Sequence, residues 1–342
     1  MLMLPLLAAC AVPVPPLVPS VSPGDVARLV EDAWIAADGS ALPLTRWLAE
    51  GEPAGVVLAL HGFSEHGGVF FTLAPQLADA GYSVYAYDQR GFGATASRGF
   101  WPGADQLTAD ARSAWRLLRE RYPQTPVHLL GHSMGAAIAV LATTGTHRVE
   151  PASTVLVSPA VHGWDTLPWI QRVALRVGHF VVPGAQARQR WARAFVDITV
   201  TDDPVIRRMQ ALDPAILRKV RIDMIHGVVE LMDVAADRVS QVPTPLLIQY
   251  GERDDIIPTL AACALFERLH ARPASGRWFA LYPEGYHYLT RDLQRDRTIR
   301  DILDWLAAPG TAPHSGAGVS PEVASRHLCE TAVDEPRAHP RP

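Results

Sequence analysis

Five residues, Gly131-His132-Ser133-Met134-Gly135, carry the clearest chemical signal in the chain. They form Gly-x-Ser-x-Gly, the pattern of a nucleophilic serine raised on a sharp strand-to-helix turn. That turn is crowded, so the positions two residues either side of the serine must be small. Gly131 and Gly135 meet the need, and Ala136 and Ala137 let the next helix lie close to the sheet. The bland alternative is a chance pentapeptide in a glycine-rich loop. The setting argues against chance. Val127-His128-Leu129-Leu130 reads as a strand just before the pattern, and Met134 to Thr143 as a small apolar helix just after it.

A serine hydroxyl needs a base to take its proton, and the base needs an acid to orient it. Behind such a turn the chain order is Ser, then Asp or Glu, then His. Glu252, Asp254 and Asp255 follow the strand run Leu246 to Tyr250, and one of them could instead cap the next helix. Of the 13 histidines, His287 is the one in the loop after the final strand run, although a surface loop histidine is the bland reading. These positions fall at the carboxyl ends of strands, on the rim where open α/β sheets bind ligands. A tetrahedral oxyanion needs two amide donors. They are expected from Met134, after the nucleophile, and from Phe63 in the loop His61 to Gly68. His61 and His66 could be a metal pair, but five-residue spacing without a third ligand makes a poor site. His61 is expected to brace the loop. No metal and no cofactor is expected.

The elements that position these residues alternate. Val56 to Leu60, Ser83 to Tyr87, Val127 to Leu130, Thr154 to Val157, Leu246 to Tyr250 and Arg277 to Tyr282 are continuous strand-like runs. Strands apolar on both faces belong in parallel sheets covered by helices. Helical spacing is legible over Ala104 to Arg121, stopped by Pro123, and over Leu260 to Leu269 and Leu293 to Ala307. Trp34 to Ala49 reads as two short strands joined at Asp38-Gly39. The alternation predicts an α/β fold with a doubly wound, mostly parallel sheet. Residues 162–242 break the rhythm, with helical patterns and no strand run, and are read as a helical cap insertion over the sheet edge.

Composition limits the partners. The chain has 342 residues, 48% of them apolar, and a net charge of −4. Without a clustered basic patch no nucleic-acid surface is expected. Cys10, Cys263 and Cys329 are read as too few and scattered for a disulfide framework or a zinc site. Residues 1–22 are apolar, then proline-rich, and do not read as packed core. Leu7-Ala8-Ala9-Cys10 resembles a bacterial lipoprotein signal, in which the cysteine becomes lipidated. On that reading Ala11 to Pro23 is a tether, and the protein sits in the cell envelope, anchored to the membrane surface rather than spanning it. Against this, no Lys or Arg precedes Cys10 and the apolar run is short. The alternative is a ragged cytoplasmic terminus. The hydrolase domain is expected over 23–308, with 309–342 a disordered tail rich in Pro, Ala, Ser and charge.

Taken together, these segments resemble the monoacylglycerol lipase and lysophospholipase group of α/β hydrolases, also grouped with the serine aminopeptidase-like hydrolases. The resemblance runs from about Trp34 to Leu306. Its carriers are His61-Gly62-Phe63-Ser64-Glu65-His66, Asp88-Gln89-Arg90-Gly91-Phe92-Gly93, the serine pentapeptide, Gly251 to Pro258, and Glu284-Gly285-Tyr286-His287. The Glu65-His66 pair points to this group in particular. The resemblance implies the α/β-hydrolase fold. It selects Asp254 as the acid, two residues before Ile256-Ile257-Pro258, and it matches the family's oxyanion amides to Phe63 and Met134. In one departure, Val69-Phe70 stand where the family usually has Arg-Tyr. The implied activity is a serine carboxylic ester hydrolase acting on monoacylglycerol-like or other small lipid esters through a Ser-His-Asp triad and an acyl-enzyme. The apolar residues of the cap, from Trp164 to Val181, suit an acyl chain or a lid touching lipid, or simply pack the cap onto the body. The alternatives are a non-catalytic lipid- or ligand-binding protein on a hydrolase scaffold, and a peptidase or thioesterase of the same fold.

Overall fold

A computed structural model describes residues 27–188 and 198–334. Strands β1 (Arg28–Leu29), β2 (Ala33–Ile35) and β3 (Ala41–Trp47) form an antiparallel edge. Then come β4 (Gly55–Leu60), β5 (Tyr82–Tyr87), β6 (Val127–His132) and β7 (Thr154–Val157), buried at every position. Two short strands, β8 (Gln186–Arg188) and β9 (Lys219–Arg221), pair with each other away from the main sheet. The last three are β10 (Leu246–Gly251), β11 (Arg277–Tyr282) and β12 (Gly318–Val319). The main sheet has the order β1-β2-β3-β5-β4-β6-β7-β10-β11-β12, parallel from β5 to β11 and antiparallel at both edges. This is the doubly wound, mostly parallel sheet that the alternation predicts.

Strands without a polar face need cover on both sides. On one face lie α2 (Ala104–Arg121), α3 (Met134–Ala142), α6 (Ile222–Arg238), α7 (Thr259–His270) and α9 (Pro321–Asp334). On the other lie α1 (Ala74–Asp79) and α8 (Arg295–Ala307). Helix α2 shows why. Leu107, Ala111, Ala114 and Leu118 recur at helical spacing and are buried, while Arg119 and Arg121 sit in its last turn beside the negative end of the dipole. Helix α3 is buried along its whole length, which its small residues permit.

Between β7 and α6 the chain forms α4 (Trp169–Val181), the β8-β9 ribbon and α5 (Pro204–Leu212). Asp203 caps α5, accepting from the Val205 and Ile206 amides, and Pro204 occupies the first turn. The cap expected over 162–242 is shorter than that. Helix α6 packs against α3, with Met224, Leu231 and Ala235 fully buried, so it belongs to the body. The inserted part also contains the β8-β9 ribbon, which the absence of a strand run did not foretell.

The expectation of a disordered tail over 309–342 is overturned for the described residues to 334. Strand β12 pairs with β11, and α9 packs on α7 through Ala324 and Leu328. A disulfide joins Cys263 of α7 to Cys329 of α9 across 66 residues, against the reading of the cysteines as too few and scattered for a disulfide framework. The composition misleads because it hides Ala324 and Leu328, one helical turn apart and buried against the body, and a covalent link to α7. The same cysteines and Glu267 are close enough to suggest a metal cluster, but both sulfurs are bonded to each other. Residues 1–22 and Cys10 lie outside the described residues.

Candidate active site

Ser133 stands between β6 and α3 with φ 55° and ψ −119°. Few side-chain-bearing residues tolerate this region, and it costs on the order of 1–3 kcal/mol. The surroundings impose it. The Ser133 amide donates to the Val157 carbonyl at 3.0 Å, and the Ser133 carbonyl accepts from Ala136 and Ala160 at 3.0 and 3.2 Å. A Cβ on Gly135 would lie 2.1 Å from the Leu60 carbonyl oxygen, and one on Gly131 would lie 2.4 Å from that of Gly135. Only glycine fits at either position, as the pentapeptide requires.

The three sequence-predicted residues converge. Ser133 Oγ lies 3.0 Å from His287 Nε2, and His287 Nδ1 lies 2.7 Å from Asp254 Oδ2. An Nδ1–H donating to the carboxylate leaves Nε2 free to accept the serine proton. The other oxygen of Asp254 accepts from the Ile256 and Ile257 amides at 2.8 and 2.9 Å, which fixes the carboxylate's rotation. Its two sequence competitors point elsewhere. Asp255 accepts from the Thr199 amide at 2.9 Å, and Glu252 meets His327 at 3.0 Å.

Met134 is the first residue of α3, where an amide has no acceptor within the helix. Phe63 lines the same cavity as Ser133. Its loop is fixed by His61, as expected. The Gln89 amide donates to His61 Nε2 at 3.0 Å, and His61 Nδ1 donates to the Gly62 carbonyl at 2.8 Å. Burial pushes the His61 pKa down to about 4, so the ring is neutral. His66 does not join it. Its Nε2 meets Asp213 of the cap at 2.8 Å, and its Nδ1 accepts from the Gly68 amide at 3.2 Å.

Beneath these groups lies a buried hub that residue-by-residue reasoning missed. Glu65 Oε2 accepts from the Gly62 amide at 3.0 Å and lies 3.2 Å from His132 Nδ1, and Oε1 accepts from Arg291 at 2.7 Å. His132 Nε2 reaches the backbone oxygen of His287 at 3.2 Å. One carboxylate thus touches the loop after β4, the serine turn and the segment that follows His287. Burial alone would raise the Glu65 pKa, but the Arg291 charge and the His132 hydrogen bond hold it well below the usual range. Glu65 was visible in the sequence as a family pointer. Arg291 had no signal: its guanidinium reaches Glu65 from 226 residues further along the chain.

The cavity over Ser133 measures about 220 Å³, with Phe63, Ile198, Val200 and Ile256 as its apolar walls and Gln210 and Tyr288 at one side. Above the body, α4 turns a stripe of apolar side chains outward. Trp169 is 67% exposed and Phe180 90%, and Ile170, Val173, Val177 and Val181 are all more than half exposed.

Residues 51–294 match the family described as serine aminopeptidase, S33. The chain is 26% identical over 264 residues to a monoacylglycerol lipase of Mycolicibacterium smegmatis, covering 77% of this chain and 91% of the relative. It is 25% identical over 287 residues to the monoglyceride lipase of Rattus norvegicus, covering 80% and 89%. Its fold is similar to that of a soluble variant of monoglyceride lipase from Saccharomyces cerevisiae, solved with a substrate analog, at a TM-score of 0.67 and 20% identity over 88% of this chain and 98% of that one.

Proposed function

The chain belongs to the serine aminopeptidase family of α/β hydrolases, and from that premise we propose that it hydrolyses small lipid esters of the monoacylglycerol type through Ser133, His287 and Asp254. The observation that carries this reading is the unbroken line from Ser133 Oγ through the imidazole to Asp254, at 3.0 and 2.7 Å. His287 takes the hydroxyl proton as Oγ attacks the ester carbonyl. Asp254 holds the tautomer and stabilises the imidazolium. The Phe63 and Met134 amides receive the oxyanion. His287 then protonates the leaving alcohol oxygen as the C–O bond breaks, leaving an acyl-serine. A water that gives its proton to His287 attacks the acyl carbon; the acyl–Oγ bond then breaks as His287 returns the proton to Ser133 Oγ, and the acid is freed.

The relatives' names supply the substrate class, and the apolar walls at Ser133 suit a hydrocarbon acyl chain. The outward stripe on α4 suits contact with a lipid aggregate, since an amphipathic helix that buries none of its residues in the body has its apolar face free. The expected lipid anchor at Cys10, with residence in the cell envelope, stands as part of this proposal. The disulfide supports it, because such links persist in oxidising compartments.

A fluorophosphonate probe tests the core of the reading. It should label the wild-type protein at one serine and fail on Ser133→Ala, whose kcat on a p-nitrophenyl ester should fall by a factor on the order of 10⁴ or more. Labelling that persists in Ser133→Ala would remove Ser133 from the mechanism.

A further inference from the structure

Thr199 to Asp203 cross the body beside the catalytic groups, and each of these residues is hydrogen-bonded to it. The Thr199 amide donates to Asp255 at 2.9 Å, one residue past the triad acid. The Val200 carbonyl accepts from the Tyr288 amide at 2.9 Å, one residue past the triad base. The Thr201 hydroxyl donates to the Arg291 carbonyl at 3.1 Å, on the residue whose guanidinium holds Glu65. Asp202 accepts from the Leu293 amide and Asp203 from Arg295, each at 2.8 Å. Asp203 also caps α5, whose Gln210 side-chain amide donates to the Tyr288 hydroxyl. The loop after β10 carries Asp254 and the loop after β11 carries His287. The two meet at their roots, where the Arg253 amide donates to the Gly285 carbonyl at 2.9 Å. Thr199 and Val200 join them a second time, beyond the reacting groups.

The same run of chain faces the cavity over Ser133. Ile198 and Val200 are walls of it and Thr199 is not, the alternation of an extended segment. A third apolar wall, Ile256, donates its own amide to Asp254 at 2.8 Å. The hydrocarbon surface offered to an acyl chain is therefore carried by residues whose own or adjacent backbone is bonded to Asp254 or to the neighbours of Asp254 and His287.

We propose that residues 198–203 are a positioning strap for the reaction: an acyl chain that fills the cavity seats Ile198 and Val200, and through the Thr199–Asp255 and Val200–Tyr288 bonds the strap sets the loops that hold Asp254 and His287. The inference rests on the ester-hydrolase reading above and says what the acyl chain does there besides bind. Contacts remote from the reacting carbonyl raise kcat only where they improve the geometry of the reacting groups, and otherwise they lower KM alone. The strap connects the two, so the length of the acyl chain is read out in kcat.

Two esters with one leaving group test this: p-nitrophenyl octanoate, whose chain can reach Ile198 and Val200, and p-nitrophenyl acetate, whose acyl group is too short. In the wild-type protein kcat should be about ten-fold higher for the octanoate. Asp255→Ala removes the acceptor of the Thr199 amide, and Thr199→Pro removes the donor. Either should cut the octanoate-to-acetate ratio of kcat by about ten-fold and leave the octanoate KM little changed. Asp255 is exposed and Thr199 half-buried, so the second variant carries the test if the first folds poorly. Asp255→Asn keeps an acceptor oxygen and should restore the wild-type ratio. A chain-length preference that appears in KM alone, a ratio that neither bond-breaking variant moves, or an Asp255→Asn variant that behaves like Asp255→Ala overturns the strap and leaves the hydrolase intact. No turnover of either ester, together with no fluorophosphonate label at Ser133, overturns the hydrolase reading and the strap with it.

Discussion

The rim around Ser133 and helix α4 of the cap solve opposite problems. At the rim, charged and polar side chains are buried and held in place by one another: Glu65, His132, Asp254, His287 and Arg291 are all less than a tenth exposed. On α4, six apolar side chains face outward and none of its residues is buried. Folding alone favours neither arrangement, since burying charge costs free energy and exposing hydrocarbon costs free energy. The body accepts the first cost for geometry at a reacting atom. The cap leaves the second cost in place along α4.

Substitutions can separate the two. The largest effect is expected at the acid. Asp254→Asn keeps the shape but favours the wrong imidazole tautomer, and kcat should fall by a factor on the order of 10⁴. Asp255→Asn neutralises a carboxylate that accepts from the Thr199 amide outside the triad, and should stay within a few-fold. Equal losses in a matched assay would mean that the rim does not depend on a single carboxylate. Next is Glu65→Gln, which leaves Arg291 buried beside a neutral partner and should cost about 3–5 kcal/mol by urea unfolding. The double variant with Arg291→Met should recover much of that. Since Glu65 titrates below its ordinary value of 4.5, the wild-type contribution is present above that pH and lost as pH falls further. The Glu65→Gln variant lacks that loss, so the stability gap between the two proteins should narrow in acid.

Smaller effects follow away from the rim. Cys329→Ser should lower stability by about 2–4 kcal/mol, because it reopens a long loop in the unfolded chain. Unchanged chemical denaturation would mean that α9 is seated by packing alone. The smallest change is expected at Phe180. Replacing it by Ser should alter stability by no more than about 0.5 kcal/mol, as at other exposed positions. It should nonetheless lower turnover of ester presented in vesicles while sparing a water-soluble ester. A large melting shift for Phe180→Ser would show that α4 is packed in solution and erase the contrast between cap and rim.

Much of the body was legible in advance because its signals are local. The run Ala104 to Arg121 is the observed α2, and the strand runs fall within one or two residues of the observed strands. Gly131, Ser133 and Gly135 could be read because one tight turn sets all three at once. Asp254 needed the family register, since Asp255 beside it has the same chemistry. What stayed hidden depends on contacts between distant segments. Arg291 reaches Glu65 across 226 residues and Cys329 reaches Cys263 across 66. Helix α6 looked like cap because its apolar spacing does not say which neighbour it packs on. The tail looked disordered because its average composition conceals Ala324 and Leu328.

The stripe on α4 also bears on how such a molecule searches for its next substrate. A protein that rests on an interface by one helix face explores a plane rather than a volume. The quantity that then sets its rate is the mole fraction of ester within that plane, because confinement raises the local concentration without any new contact at the serine. Diluting the lipid with inert lipid at constant bulk ester should slow the reaction, and diluting the whole suspension with buffer should hardly change it while the protein stays bound. Phe180, at 90% exposure, is the side chain on which such a proposed residence would most depend.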